Sequence, residues 1–207
     1  MTDYRSEATI GGRIKAARRA RGFRTTRELA DAIPGGNVTS AVLENIESGR
    51  KADIGVSQLL NIARGLGVPP SYLLAPIGTP EALIDLPNLS DDLREMTVAE
   101  FDCWLSATPA SSYRPDRMDE RNDIAALETL REFGTLRREL ERLQIVLDIR
   151  SSSGDPDLAD GTTEIVARME RLRTEADRIA NFLATAGILG LQSAARAARP
   201  EKREGHG

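Results

Sequence analysis

The side chains able to do chemistry in this chain are mostly charged, and they are unevenly spread. In residues 1–27, Arg5, Arg13, Lys15, Arg18, Arg19, Arg21, Arg24 and Arg27 face only Asp3 and Glu7, a local charge of +6. Residues 1–76 carry +4 and residues 77–207 carry −8, within a total of −4. A basic module on an acidic remainder suits contact with a polyanion, with a solvated helix face as the ordinary alternative. Nucleophile and metal chemistry have little to work with. Cys103 is the single cysteine, so an internal disulfide and a cysteine-cluster zinc site are excluded. His206, in a polar end segment, is the single histidine, which excludes histidine triads and multi-histidine metal sites. With no histidine to activate it, Cys103 reads as a small core residue. Glu139 and Glu141 are interleaved with Arg137, Arg138 and Arg142, the pattern of a salt-bridged surface, not of an acid/base pair. Gly35-Gly36 lacks the Lys-Ser/Thr that completes a phosphate loop. No enzyme activity, cofactor or metal is expected.

The elements that must position these groups are helical. Hydrophobic residues are 40%, charged residues 29% and aromatics 4% of 207 residues, a soluble profile that argues against a large β-sandwich. No apolar run reaches the roughly 18 residues of a membrane span, and MTDYRSEATIGGR does not read as a secretory leader. The expectation is a cytoplasmic all-α protein without membrane contact.

Residues 7–22 have helical spacing, with Ile10, Ile14, Ala17 and Arg21 on one face and Gly22 as the stop. Thr25-Thr26-Arg27-Glu28 is a capping box opening a helix from Thr26 to Ile33, with Leu29, Ala30 and Ile33 inward. Pro34-Gly35-Gly36-Asn37 breaks it. Thr39 caps a third helix to Ser48, held by Val42, Leu43 and Ile46. A fourth, from Ser57 to Leu66, turns Leu59, Leu60, Ala63 and Leu66 inward. Pro70 opens a fifth containing Tyr72, Leu73 and Leu74. Residues 77–117 read as a proline-punctuated linker with one short helix, capped by Thr97-Val98-Ala99-Glu100 and bearing Phe101, Trp104 and Leu105. Trp104 is expected to pack against a neighbouring helix.

Two long helices follow in 118–199. Leu127, Leu130, Phe133, Leu136, Leu140, Leu143 and Leu147 stripe the first; Ile165, Met169, Leu172, Ala176, Ile179, Leu183 and Ala186 stripe the second. The polar loop 150–163 between them predicts an antiparallel hairpin. Leu130, Ile145, Val166, Leu189 and Leu191 fall off or beyond the seams and suggest a further contact surface. Residues 200–207 read as a disordered tail.

The order Leu29-Ala30, Ile46-Glu47-Ser48-Gly49-Arg50, Leu59-Leu60-x-Ile62-Ala63, Leu66-Gly67-Val68 and Tyr72-Leu73-Leu74 closely resembles the Xre-type, phage-repressor-like helix-turn-helix family over residues 7–76. The turn at Pro34-Gly35-Gly36 is longer than the usual family pattern. The resemblance implies a five-helix DNA-binding domain with Thr39–Ser48 as the helix that enters the major groove. Ser40, Ala41, Glu44 and Asn45 then face the base edges. Glu44 can accept from a cytosine amine but repels phosphates. Arg18, Arg19, Thr25, Thr26, Arg27, Thr39, Arg50 and Lys51 are the expected phosphate contacts. The self-cleaving domain of many such repressors is not expected, because Lys202 is the only lysine after position 51.

The expected function is a sequence-specific DNA-binding transcriptional regulator, a repressor, that dimerises through its C-terminal helices on double-stranded DNA. The alternative is an interaction adaptor or antitoxin-like protein that grips another protein with its helical arm.

Overall fold

The computed structural model describes residues 3–108, 112–153 and 161–188. Among these, helix is the only extended regular structure, and the one β-type pairing is an isolated bridge between Leu83 and Thr97. The protein is all-α. No helix among the described residues is long and apolar enough to cross a membrane. The chain divides into two compact units, Met1–Arg114 and Pro115–Gly207.

The first unit opens with a 3-10 turn, Tyr4–Ser6, followed by α1 (Ile10–Ala20), α2 (Thr26–Ala32), α3 (Ser40–Glu47), α4 (Val56–Leu66) and α5 (Pro70–Leu74). Helix α1 starts later than its spacing suggests because Thr9 caps it, its hydroxyl accepting from the Gly12 amide. Arg21 is not on the inward face. It is the C-cap, exposed, and its guanidinium donates to the Gly67 carbonyl at 3.2 Å. The Thr25 box closes only by half. Thr25 Oγ1 accepts from the Glu28 amide, but Glu28 reaches past Thr25 to the Arg24 amide.

Ile14, Ala17, Leu29, Leu43, Ile46, Ile62, Ala63, Leu66 and Leu73 form one core. Each leucine or isoleucine among them contributes about 1.5–3 kcal/mol when fully buried. Leu60, expected inward, is 49% exposed, and Ile62 takes its place at 0%. Residues 59, 62, 63 and 66 complete the inward face of α4, and 60 lies off it.

Residues 77–107 are not a linker. Ala75, Ile84, Val98 and Phe101 make a second core, with Ile77, Leu86, Met96 and Trp104 packed against it. Two short helices belong here, α6 (Asp91–Arg94) and α7 (Val98–Ser106). The Thr97 capping box of α7 is complete in both directions. Backbone bonds from Ile84 to Met96 and from Val98 to Ala82 close the fold on itself. Trp104 packs on Phe101 of its own helix, ring centroids 6.0 Å apart, and Cys103 is half-buried. Prolines made this stretch look like a tether, yet Ala82, Ile84 and Leu86, alternate residues, all pack into this core.

The second unit contains α8 (Met118–Ser153) and α9 (Thr162–Thr185). Phe133, Ala176, Ile179, Ala180 and Leu183 are buried at their seam, with Leu130, Leu136 and Leu140 against them. The two helices run antiparallel, since Phe133 meets the C-terminal half of α9 while Glu139 pairs with Arg168 near its start at 2.9 Å. Leu130 therefore belongs to the seam. Leu127 does not, being 42% exposed, and Ala186 is the exposed cap residue of α9. The expected loop falls mostly on 154–160, and Leu189, Leu191 and the tail fall on 189–207; these lie outside the described residues.

Candidate nucleic-acid interface

The expected site residues gather at α3, and what holds α3 in place is the first thing the geometry explains. Its inward residues Leu43 and Ile46 are buried. At its end, Glu47 takes a bidentate pair from Arg18 of α1: Nε to Oε1 at 2.6 Å and Nη2 to Oε2 at 2.8 Å. The remaining guanidinium nitrogen, Nη1, donates to the carbonyls of Phe23 and Arg24. Both side chains are buried, 5% and 7% exposed. The hydrogen bond to Glu47 raises the Arg18 pKa above its ordinary value. Gly11 makes the same contact possible from the other side. A Cβ there would collide with the Ile46 carbonyl oxygen, so only glycine lets α1 approach the end of α3 this closely.

Arg18 is thus removed from the phosphate contacts. Its guanidinium donates four hydrogen bonds inside the fold, and it has almost no free surface to offer. Arg13 is likewise buried, at 0%, donating to the carbonyls of Glu7, Ala8, Leu73 and Leu74 and to Asp85. With Glu47 and Asp85 cancelling these two cations, the effective charge of residues 1–27 falls from +6 to +4.

The start of α3 meets the start of α2. Thr26 Oγ1 and Ser40 Oγ lie 2.8 Å apart, and each is 3.1 Å from Glu44 Oε1. Two hydroxyl hydrogens serve three oxygens, so both are spent within this cluster. Thr26 therefore has no hydrogen for a phosphate oxygen, contrary to expectation. Ser40 is half-buried and similarly occupied, whereas Ala41 and Glu44 are exposed. Asn45 is half-buried and its Oδ1 accepts from Arg50 Nε at 2.9 Å. That bond uses one of the two lone pairs of Oδ1 and ties Asn45 to Arg50.

The remaining expected phosphate contacts are better placed. Thr25 and Thr39 are exposed N-caps whose hydroxyl oxygens accept from Glu28 and Val42 amides, leaving each hydroxyl hydrogen directed elsewhere. Arg19 is exposed on α1 and belongs to none of these groups. Arg27 is exposed, with Asp31 at 4.0 Å. Arg50 is exposed, and Lys51, half-buried, donates to Gln58 Oε1 at 2.7 Å.

The long turn before α3 is pinned by residues that sequence reasoning passed over. Asn37 Oδ1 accepts from Asn61, Asn37 Nδ2 donates to Ser57, and the Asn37 carbonyl accepts from Gln58. Gln58 thereby joins Asn37 before α3 to Lys51 after it. The signal for this clamp was weak: three amides spread over two elements, with no periodicity to link them. For Arg13 and Arg18 the signal was present. Residues 10, 13, 14, 17 and 18 fall on one helical face, and an arginine on an inward face needs a partner.

Among the described residues no group of three or more His, Cys, Asp or Glu could hold a metal ion. No protein-family model, curated protein or solved structure matches the chain.

Proposed function

We propose that the chain is a sequence-specific DNA-binding transcriptional regulator in which α2, the turn 33–39 and α3 act as a helix-turn-helix. The observation that carries this reading is the mounting of α3. One face is locked by Leu43, Ile46 and the Arg18–Glu47 pair, while Ala41 and Glu44 stay exposed beside the Thr39 N-cap. A short helix held so, with its N-terminal half outward, has the dimensions and rigidity to enter a major groove. Thr25, Thr39, Arg19, Arg27, Arg50 and Lys51 supply the phosphate contacts. Repression follows from occupying a site, and the resemblance over 7–76 favours it.

Dimerisation through α8 and α9 completes the proposal. A two-helix hairpin has one seam, and Ile145 and Ile149, one turn apart, remain 60% and 64% exposed. A second copy covering them would bring two DNA-binding heads onto paired half-sites. The other reading, an interaction adaptor, is favoured by one observation: Arg13, Arg18, Thr26, Ser40 and Asn45 are occupied internally, which weakens the polyanion face.

Electrophoretic mobility shift on random duplex DNA at several salt concentrations tests the choice. A DNA-binding protein shifts the duplex and loses affinity linearly in log salt, with a slope of about −0.9 per phosphate neutralised. A folded chain that never shifts DNA at low salt is the adaptor.

A further inference from the structure

We infer that Glu44 sets base preference by accepting from a cytosine amino group, and that Thr26 of α2 is its positioning residue and not a phosphate ligand; this rests on the DNA-binding reading above. Around α3, Glu44 is the outward group that the structure both anchors and leaves with a whole acceptor oxygen. Ala41 offers only a methyl, Asn45 Oδ1 is held by Arg50, and the Ser40 hydrogen is spent in the cluster. Glu44 Oε1 is fixed by the Thr26 and Ser40 hydroxyls, both at 3.1 Å, and these bonds leave Oε2 as an oriented acceptor. The lock spans two helices, so the carboxylate is ordered before any ligand arrives.

An ionised carboxylate accepts and cannot donate, so it needs an amine on the base edge and is repelled by neighbouring acceptors. In the major groove the amines belong to cytosine N4 and adenine N6. Adenine's amine is flanked on both sides by acceptors, its own N7 and the O4 of the paired thymine. Cytosine's amine has an acceptor on one side only, the O6 of the paired guanine. Glu44 therefore selects cytosine. Glutamine at the same position, its oxygen held by the same two hydroxyls, presents only its amide donors, the match for an acceptor edge such as guanine N7 and O6.

Selection from a random double-stranded DNA pool with the full chain tests this, using the wild type, Glu44→Gln, Thr26→Val and Thr26→Ser. The wild type is expected to enrich a motif with one cytosine that moves to guanine in Glu44→Gln. Thr26→Val keeps the cytosine with its preference over other bases reduced roughly five- to tenfold, at an unchanged salt slope, and Thr26→Ser restores it. An identical motif for wild type and Glu44→Gln overturns the role of Glu44 while leaving DNA binding intact. A salt slope that becomes shallower in Thr26→Val, with the base preference untouched, makes Thr26 a phosphate ligand and overturns its positioning role. A folded wild type that enriches no motif overturns both this inference and the sequence-specific reading beneath it.

Discussion

The two units of the chain handle charge in opposite ways. In Met1–Arg114, the guanidinium groups of Arg13 and Arg18 are taken inside, 0% and 5% exposed, and joined to carboxylates from distant parts of the sequence. In Pro115–Gly207, Arg137, Arg142, Arg168 and Arg178 pair with Glu141, Glu139, Glu139 and Glu175 while staying 48–77% exposed. Water can replace a partner lost at the surface. It cannot reach Arg18, so the partner there is part of the fold. Charge is denser in the second region, 33 of 93 residues against 27 of 114, and that density says nothing of this difference. What separates them is whether the charge lies on the helical face that turns inward.

The largest expected effect breaks the buried pair. Glu47→Ala strands the Arg18 cation with only the Phe23 and Arg24 carbonyls, at a cost of roughly 3–5 kcal/mol in urea unfolding. Glu139→Ala removes two partners from the second unit and is expected to cost about 1 kcal/mol or less. Equal losses in the two variants would erase the contrast between the units.

Gly11→Ala comes next, at about 1–3 kcal/mol, because its methyl group is driven into the Ile46 carbonyl and the backbone must shift. It also sharpens the functional reading. Displacing the end of α3 should weaken specific DNA sites more than random DNA, measured by competition at one salt concentration. Asp85→Ala has a smaller and more local effect, since Arg13 keeps four backbone carbonyls and Asp85 is partly exposed. Faster amide exchange confined to 82–107 is the expected signature.

In the second unit the corresponding test concerns association. The full chain should scatter light as a dimer at micromolar concentration, and Ile145→Asp with Ile149→Asp should halve its mass without lowering helicity, because both side chains are already exposed. A monomeric wild type removes the dimer from the proposed function.

Much of this was readable beforehand, for a physical reason. Periodicity located α1 to α5 and both long helices, since each buries one face. Thr39, Thr97 and Gly67 mark boundaries that the structure keeps. Residues 77–107 were misread because their core is built from isolated apolar residues paired over distance, Ile84 with Val98 and Phe101, which no local period records. The candidate site was half legible. The elements were placed from spacing, and the exposed Thr25, Thr39, Ala41 and Glu44 were singled out through the family resemblance. The occupation of Thr26, Asn45 and Arg18 depends on which side chains meet across helices, and that is decided by packing.

The smallest expected effect compares two carboxylates whose pKa lies below its ordinary value, one in each unit. Glu100 is lowered by hydrogen bonds from the Thr97 amide and then the Thr97 hydroxyl; Glu175 is lowered first by its hydrogen bonds from Arg178. A carboxylate with a depressed folded pKa gives stability that is present above its unfolded pKa. That stability is lost as pH falls through the folded value. Both residues therefore contribute at neutral pH and fade in acid. The causes differ, however. The Thr97 bonds to Glu100 are short-range and largely indifferent to ionic strength, whereas the Glu175–Arg178 pair stands in water and is screened. Urea unfolding of Glu100→Gln and Glu175→Gln, at neutral pH and at about pH 2, with and without about 1 M salt, separates them. The gap between wild type and each variant should close in acid for both. At neutral pH, salt should close it for Glu175→Gln alone. If salt also closes the Glu100→Gln gap, that carboxylate is acting as a surface charge, and the capping of α7 loses its distinction from the ion pairs of the hairpin.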